Sequence, residues 1–383
     1  MRKPLHATAF QLPAIARSAV AAALIFPLTG CSGIAKAPDS DKPHHTAQGY
    51  QNNYSGNVDK PFSQLLRWQA DRIKNNLPPD PKTPTPTVKP DLPFIHANAR
   101  AAVAMVPAVT WIGHASALVQ ASGLNVLTDP VFSERAFPVH FVGPKRVQPP
   151  GVAMADLPHI NVVVISHNHY DQLDRNSVFA LSQQSGGSPL FIVPLGLRAW
   201  MEGIGITHVR ELDWWQSVNV GSVEFVLTPV QHWSARSLTD RRQTLWGGWA
   251  VFGPDFHWYY SGDTGYSRDF ADTRARFAER QVPEKSGGGG GFDLALIAIG
   301  AYEPRWFMKE QHLNPAESVQ VHRDVGAKRS VGVHWGTFNL TDEPLDQTPQ
   351  DLAAARAAAN LPVDEFFLLA IGETRKRPVR VGQ

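Results

Sequence analysis

A chain of 383 residues is long enough for one large hydrophobic core or two ordinary ones. With 43% hydrophobic and 18% charged residues it has the composition of a folded globular protein, and a formal charge of +2 removes the case for whole-chain binding to nucleic acid. The single cysteine, Cys31, rules out an internal disulfide framework, while 15 histidines make a metal site the first thing to look for.

In chain order, Met1-Arg2-Lys3 and Arg17 supply positive charge ahead of an apolar stretch, Ser18 to Leu28, that ends in Leu28-Thr29-Gly30-Cys31. This pattern reads as a signal peptide over residues 1–30 with a lipobox resembling that of bacterial lipoproteins. Cys31 would then carry the lipid and tie the chain to a membrane. The apolar stretch is far shorter than the roughly 20 residues a bilayer-spanning helix needs. Ser32, where aspartate would retain the chain at the inner membrane, points to the periplasmic side of the cell envelope and to an outer-membrane lipoprotein. Residues 31–49 are polar and read as a flexible tether. Residues 50–105 read as an N-terminal extension packed on the main domain. Within it, Leu65, Leu66, Trp68, Ile73 and Leu77 recur at roughly helical spacing, and the seven prolines from Pro78 to Pro93 predict an extended strap.

The main domain, residues 106–383, opens with short apolar runs separated by turns. Strands are expected at Val109–Ile112, Ala117–Gln120, Asn125–Thr128, Val162–Ser166, Leu190–Val193, Val223–Thr228, Gly248–Phe252, His257–Ser261, Leu294–Ile299, Ser330–His334 and Glu365–Leu369. Helices are expected at Ser177–Gln184, Arg268–Ala278, Pro315–Asp324 and Thr348–Ala359. Adjacent strands come first and again mid-chain, with helices between the later ones, which predicts an α/β fold with sheets covered by helices. Gly287 to Gly291 reads as a surface loop ahead of the strand at Leu294.

The strongest chemical signal is Ser166-His167-Asn168-His169-Tyr170-Asp171-Gln172, directly after the apolar run Val162 to Ile165. Imidazoles and a carboxylate at a strand end can converge on a metal ion, and neutral imidazole suits zinc and other late first-row metals. Three more candidates follow other expected strands: His232, Asp263 and His334. Four groups at four strand ends make a shared metal centre the best reading.

Longer runs carry a family resemblance. Thr110-Trp111-Ile112-Gly113-His114-Ala115, Thr128-Asp129-Pro130, Ser166 to Asp174, Glu211-Leu212-Asp213-Trp214-Trp215, Gly262-Asp263-Thr264-Gly265-Tyr266, Gln311-His312 and His334-Trp335-Gly336-Thr337-Phe338 resemble the metallo-β-lactamase superfamily. Within it they are similar to the N-acyl-phosphatidylethanolamine-hydrolysing phospholipase D family. The resemblance implies a metallo-β-lactamase αββα sandwich, with two mixed sheets face to face and helices outside. It also implies that His167, His169 and His232 hold one zinc, that Asp171 and His334 hold a second, and that Asp263 bridges both. Where the family pattern has a further histidine ligand this chain has Gln172, a neutral and weak donor. A weak second site, a single-metal enzyme, and a different metal such as iron are the three outcomes.

The reaction implied is attack of a metal-bound hydroxide on a phospholipid phosphodiester, with Asp171 and Asp263 as the catalytic carboxylates. N-acylethanolamine and phosphatidic acid would be the products. Tyr170 and His312 match positions near the reacting head group and are expected to bind substrate. His114 also lies in a matching run, but is expected to support or pack rather than act. Trp214, Trp215, Trp246, Trp249, Trp306 and Phe307 either line an acyl groove or, for most of them, pack the core. A metallo-lactonase and a non-catalytic outer-membrane lipoprotein are the alternative readings.

Overall fold

Runs of β-branched and aromatic residues bounded by turn formers favour short strands, and that is what the computed structural model contains. It describes residues 41–282 and 290–377. The expected signal peptide, Cys31 and Gly287 to Gly289 lie outside the described residues.

The chain begins with β1 (His45–Thr46), β2 (Gly49–Tyr50), α1 (Phe62–Asn75) and α2 (Leu92–Ala99). Then come β3 (Ala108–Gly113), β4 (Ser116–Ala121), β5 (Leu124–Thr128), β6 (Val162–Val164), α3 (Arg175–Ser182), β7 (Leu190–Pro194), α4 (Arg198–Gly203) and β8 (Val209–Leu212). The second half holds β9 (Ser217–Val220), β10 (Val223–Thr228), β11 (Gly248–Phe252), β12 (His257–Tyr260), α5 (Asp269–Arg276), β13 (Leu294–Ala298), α6 (Arg305–Met308), α7 (Pro315–Asp324), β14 (Ser330–Val333), α8 (Gln347–Ala358), β15 (Phe366–Phe367) and β16 (Thr374–Lys376).

One seven-stranded sheet runs β16-β3-β4-β5-β6-β7-β8 and the other β15-β14-β13-β12-β11-β10-β9. In both, an antiparallel part passes into a parallel one: β3 to β5 and β9 to β12 are meanders, β5 to β8 and β12 to β15 are parallel. This repetition has no echo in the sequence. The parallel stretches bring the C-terminal ends of their strands to one rim, where loops are free to carry function.

Alternation along the strands sorts the core. In β6 and the residue after it, Val162 and Val164 join the large inter-sheet cluster with Trp111, Trp249 and Tyr260, while Val163 and Ile165 turn outward onto Val178, Leu181 and Met201 of α3 and α4. On the outer face of the second sheet, helices α5, α7 and α8 add Phe270, Val319 and Leu352 to the same contiguous core. Burying each such side chain stabilises the fold by about 1.5–3 kcal/mol. The αββα sandwich expected from the sequence is the fold observed.

The N-terminal stretch departs from expectation. The described part of the proposed tether, residues 41–49, is docked rather than loose. Lys42 Nζ, His44 Nε2 and His45 Nε2 reach the buried carboxylate of Asp213 at 2.6, 2.7 and 3.0 Å, and His44 stacks on Trp214. Polar anchoring of this kind leaves no apolar pattern to read. Helix α1 is held by Trp68, stacked on Phe307 and hydrogen-bonded to Asp342, whereas Phe62, Leu66 and Ile73 are exposed. The proline-rich strap is extended as far as Asp91, which caps α2 by accepting from the Phe94 N–H. Along the strap Thr85 donates to the Gly336 carbonyl at 2.7 Å. Strands β8, β9 and β16 are not expected from the sequence; β9 and β16 are polar edge strands with little hydrophobic alternation. No helix among the described residues is long and apolar enough to cross a membrane.

Candidate metal centre

All the strand-end candidates meet at that rim. His167 and His169 follow β6, His232 follows β10, Asp263 follows β12 and His334 follows β14. His167 Nε2 lies 2.8 Å from His169 Nδ1, and His232 Nε2 lies 3.4 Å from the same atom. The three imidazoles form one group able to hold a metal ion. Asp171 and Asp263 face a second point beside it: His334 Nε2 is 3.2 Å from Asp171 Oδ2 and 3.0 Å from Asp263 Oδ2. Asp263 Oδ2 is also 3.8 Å from His167 Nε2, so it stands between the two groups as a bridging ligand must.

Neighbouring groups fix which ring nitrogen carries a lone pair. His232 Nδ1 is 3.0 Å from the Gln311 carbonyl oxygen, which can only accept, so Nδ1 donates and Nε2 is left bare toward the site. Ser166 Oγ donates to Asp129 Oδ2 at 2.5 Å and accepts from His167 Nδ1 at 2.9 Å, which does the same for His167. Asp129 also takes the Ser166 N–H and the Tyr260 hydroxyl.

The electrostatics divide the site in two. Burial pushes His167 down to about 3 and His169 down to about 4, so these rings are neutral donors at neutral pH. For Asp171, hydrogen bonds from His114 and His334 overcome the upward push of burial and hold the carboxyl well below the usual range. Asp263 is likewise driven low against burial, chiefly by His334. Burial alone would lower His334, yet Asp263 and Asp171 outweigh it and raise it to about 10. Three neutral nitrogens next to two anionic carboxylates that draw positive charge fit a metal centre of nitrogen and oxygen donors. The buried Asp263 Oδ1 has no hydrogen-bond partner, which is consistent with a carboxylate shaped around a cation.

The other residues singled out in the sequence separate clearly. Gln172 turns its amide N–H groups, not its carbonyl, to the carboxylates: Nε2 is 3.0 Å from Asp263 Oδ2 and 3.2 Å from Asp171 Oδ2. It therefore contributes donors where a weak oxygen ligand is expected from the sequence. His312, half-buried between α6 and the capping box of α7, can join Asp263 and His334 in a metal-binding group, and Arg305 holds its carbonyl at 3.0 Å. Tyr170 gives its hydroxyl to the Arg236 carbonyl at 2.8 Å. Trp214, Trp246 and Trp249 are core residues, as is Phe307; Trp215 is partly buried and Trp306 lies exposed beneath Arg67.

Two supporting residues are not legible in the sequence. Arg236 donates to the Asn168 and Leu173 carbonyls at 2.7 and 2.8 Å, clamping the metal loop from both ends while stacking on Tyr170 at 4.0 Å. Asn52, from the N-terminal extension, clasps the peptide of His232: its Nδ2 donates to the His232 carbonyl and its Oδ1 accepts the His232 N–H, both at 3.0 Å, with Trp246 Nε1 as a third partner. Asn52→Ala is expected to weaken metal retention about tenfold to a hundredfold in a chelator competition. Asn53→Ala, which loses only a bond to Asp269, should leave it unchanged; equal retention in both variants would remove the role assigned to Asn52.

Residues 124–335 match the family model of the beta-lactamase superfamily domain. The chain belongs to the metallo-β-lactamase superfamily, and it is a metal-dependent hydrolase of that fold. Within the superfamily its relatives include N-acyl-phosphatidylethanolamine-hydrolyzing phospholipase D 1 of Caenorhabditis elegans, 42% identical over 251 residues that cover 63% of this chain and 67% of the relative. The mitochondrial N-acyl-phosphatidylethanolamine-hydrolyzing phospholipase D of Saccharomyces cerevisiae is 36% identical over 243 residues, covering 61% and 48%. Among solved structures, the isothiocyanate hydrolase from Delia radicum gut bacteria shares the fold with a TM-score of 0.55 at 18% identity, covering 70% of this chain and 98% of that one.

Proposed function

We propose that this chain is a phospholipase D-type phosphodiesterase that cleaves N-acyl-phosphatidylethanolamine into N-acylethanolamine and phosphatidic acid. The observation that carries the substrate class is the 42% identity to the nematode enzyme, over a stretch of 251 residues. The donor set supports zinc: His167, His169 and His232 would hold one ion, Asp171 and His334 a second, and Asp263 both. When bound, the metal makes water a nucleophile at neutral pH and draws charge from a phosphoryl oxygen. Asp171 and Asp263 accept hydrogen bonds from the attacking water and fix its line of approach. His312 is the partly exposed member of the group it forms with Asp263 and His334, so it is the one able to meet a head group. Burial pushes its ring down to about 4, so at neutral pH it binds the substrate as a neutral hydrogen-bonding group. Gln172 keeps both carboxylates in place through its amide N–H groups.

The same reading includes export and lipid attachment at Cys31, supported by the charged start, apolar stretch and lipobox. An anchor in the bilayer that holds the substrate raises its effective concentration at the site. The test is to incubate the purified full chain with vesicles containing N-acyl-phosphatidylethanolamine and measure both products by mass spectrometry, with a lactone in parallel. Release of N-acylethanolamine and phosphatidic acid in equal amounts is expected. Turnover of the lactone alone would overturn the substrate assignment. In cells, Cys31→Ser is expected to move the protein from the membrane to the soluble fraction; unchanged membrane association would overturn the anchor.

A further inference from the structure

The geometry points to His114 as a ligand of the second metal, forming with Asp171, Asp263 and His334 the four-donor set that Gln172 does not complete. This rests on the ligand reading proposed above, and it gives a metal-binding role to a side chain that its sequence context marks as packing.

His114 is brought to the centre by the backbone. β3 ends at Gly113, and His114 takes a left-handed conformation with φ of 54°, uncommon for a residue with a side chain. Two bonds hold it there: its N–H donates to Thr337 Oγ1 at 2.7 Å, and its carbonyl accepts the His334 N–H at 2.9 Å. The His114 and His334 peptides are thus tied directly, and their ring centroids lie 4.1 Å apart. Both Nε2 atoms aim at one oxygen, Asp171 Oδ2, from 3.0 and 3.2 Å. Ligand atoms around one tetrahedral zinc stand about 3.3 Å apart, given bond lengths of about 2.0–2.2 Å. The His114–Asp171 and His334–Asp171 separations of 3.0 and 3.2 Å match that spacing, the three ligand atoms all lie within 4.8 Å of one another, and His114 is almost wholly buried.

A simpler role, in which His114 only donates a hydrogen bond to Asp171, fits the contacts less well. Gln172 Nε2 also approaches Asp171 Oδ2, at 3.2 Å, so three nitrogens surround an oxygen that has two lone pairs. Gln172 Nε2 is in addition 3.4 Å from His114 Nε2. The reverse orientation of the amide would press its carbonyl oxygen against two carboxylates. A buried imidazole nitrogen directed at Asp171 beside His334 has the geometry of a ligand, and it would let the centre hold a second cation with glutamine at position 172.

The experiment is a metal count on the full chain, loaded with zinc, freed of excess by gel filtration and measured by inductively coupled plasma mass spectrometry. The wild type is expected to hold two equivalents. His114→Gln, which keeps hydrogen bonding but not an imidazole, should hold one, and His114→Cys, which restores a zinc ligand, should return to two. Gln172→Ala should keep two. One equivalent in the wild type, two in His114→Gln, or no recovery in a folded His114→Cys would overturn the assignment. His232→Ala serves as the reference for the first metal. If it keeps the full wild-type count, the ligand reading of the whole centre fails; if it loses metal while His114→Gln does not, only the role of His114 fails.

Discussion

Asp263→Ala is expected to lower hydrolysis by roughly 10³-fold or more and to reduce bound metal, because no other carboxylate among the described residues stands between the two ligand groups. Its Oδ2 is 3.0 Å from His334 and Gln172 and 3.8 Å from His167. Without it the imidazole group and the Asp171 group have no shared anionic ligand. A metal's electrostatic contribution to such a reaction is several kcal/mol, and about 4 kcal/mol corresponds to roughly three powers of ten in rate. Asp263→Asn should lose nearly as much, since the amide keeps the shape and discards the charge. Steady-state rates and metal counts on the same samples check both variants. Full turnover by Asp263→Ala would refute the catalytic assignment.

Metal removal should have the second large effect. A chelator leaves two buried carboxylates with only imidazole and amide partners, a costly arrangement at low dielectric. Binding at a concentration about a thousandfold above Kd contributes about 4 kcal/mol of stability. For a domain of this size each kcal/mol moves the melting temperature by roughly 2–4 °C. The metal-free protein is therefore expected to melt about 10 °C lower, and to recover both stability and activity when zinc is returned. A melting temperature indifferent to chelator and zinc would mean that these residues hold no metal. Zinc that restores stability without activity would point to another first-row ion as the working one.

Much of this centre is readable because its chemistry is written in residue types that are expensive to bury. His167, His169, Asp171, His232, Asp263 and His334 each follow an apolar run, and the fold gathers all six. The sandwich is readable for a related reason: strands such as β6 and β13, covered on both faces, are apolar throughout. Contacts that depend on backbone carbonyls and amides leave no such trace. Asn52 and Arg236 look like ordinary polar residues until the peptides they hold are known. The docking of residues 41–49 is hidden because its energy lies in Asp213 and the polar side chains of Lys42, His44 and His45 around it. His114 looks structural because it follows a tight strand end, and only the left-handed turn at that residue swings its ring to Asp171. Gln172 stands out by its residue type, but which end of its amide faces the carboxylates is a matter of three-dimensional neighbours.

The bond between His334 and Asp171 joins positions 163 residues apart, each in a loop that follows a strand of a different sheet. Metal capture therefore has to wait for the whole chain to fold, since neither half carries the complete set of donors. An interaction that forms only after the folding transition state slows unfolding more than it speeds folding. The cation would act as a kinetic lock across the sandwich, lengthening the lifetime of the folded protein without setting the pace at which it forms.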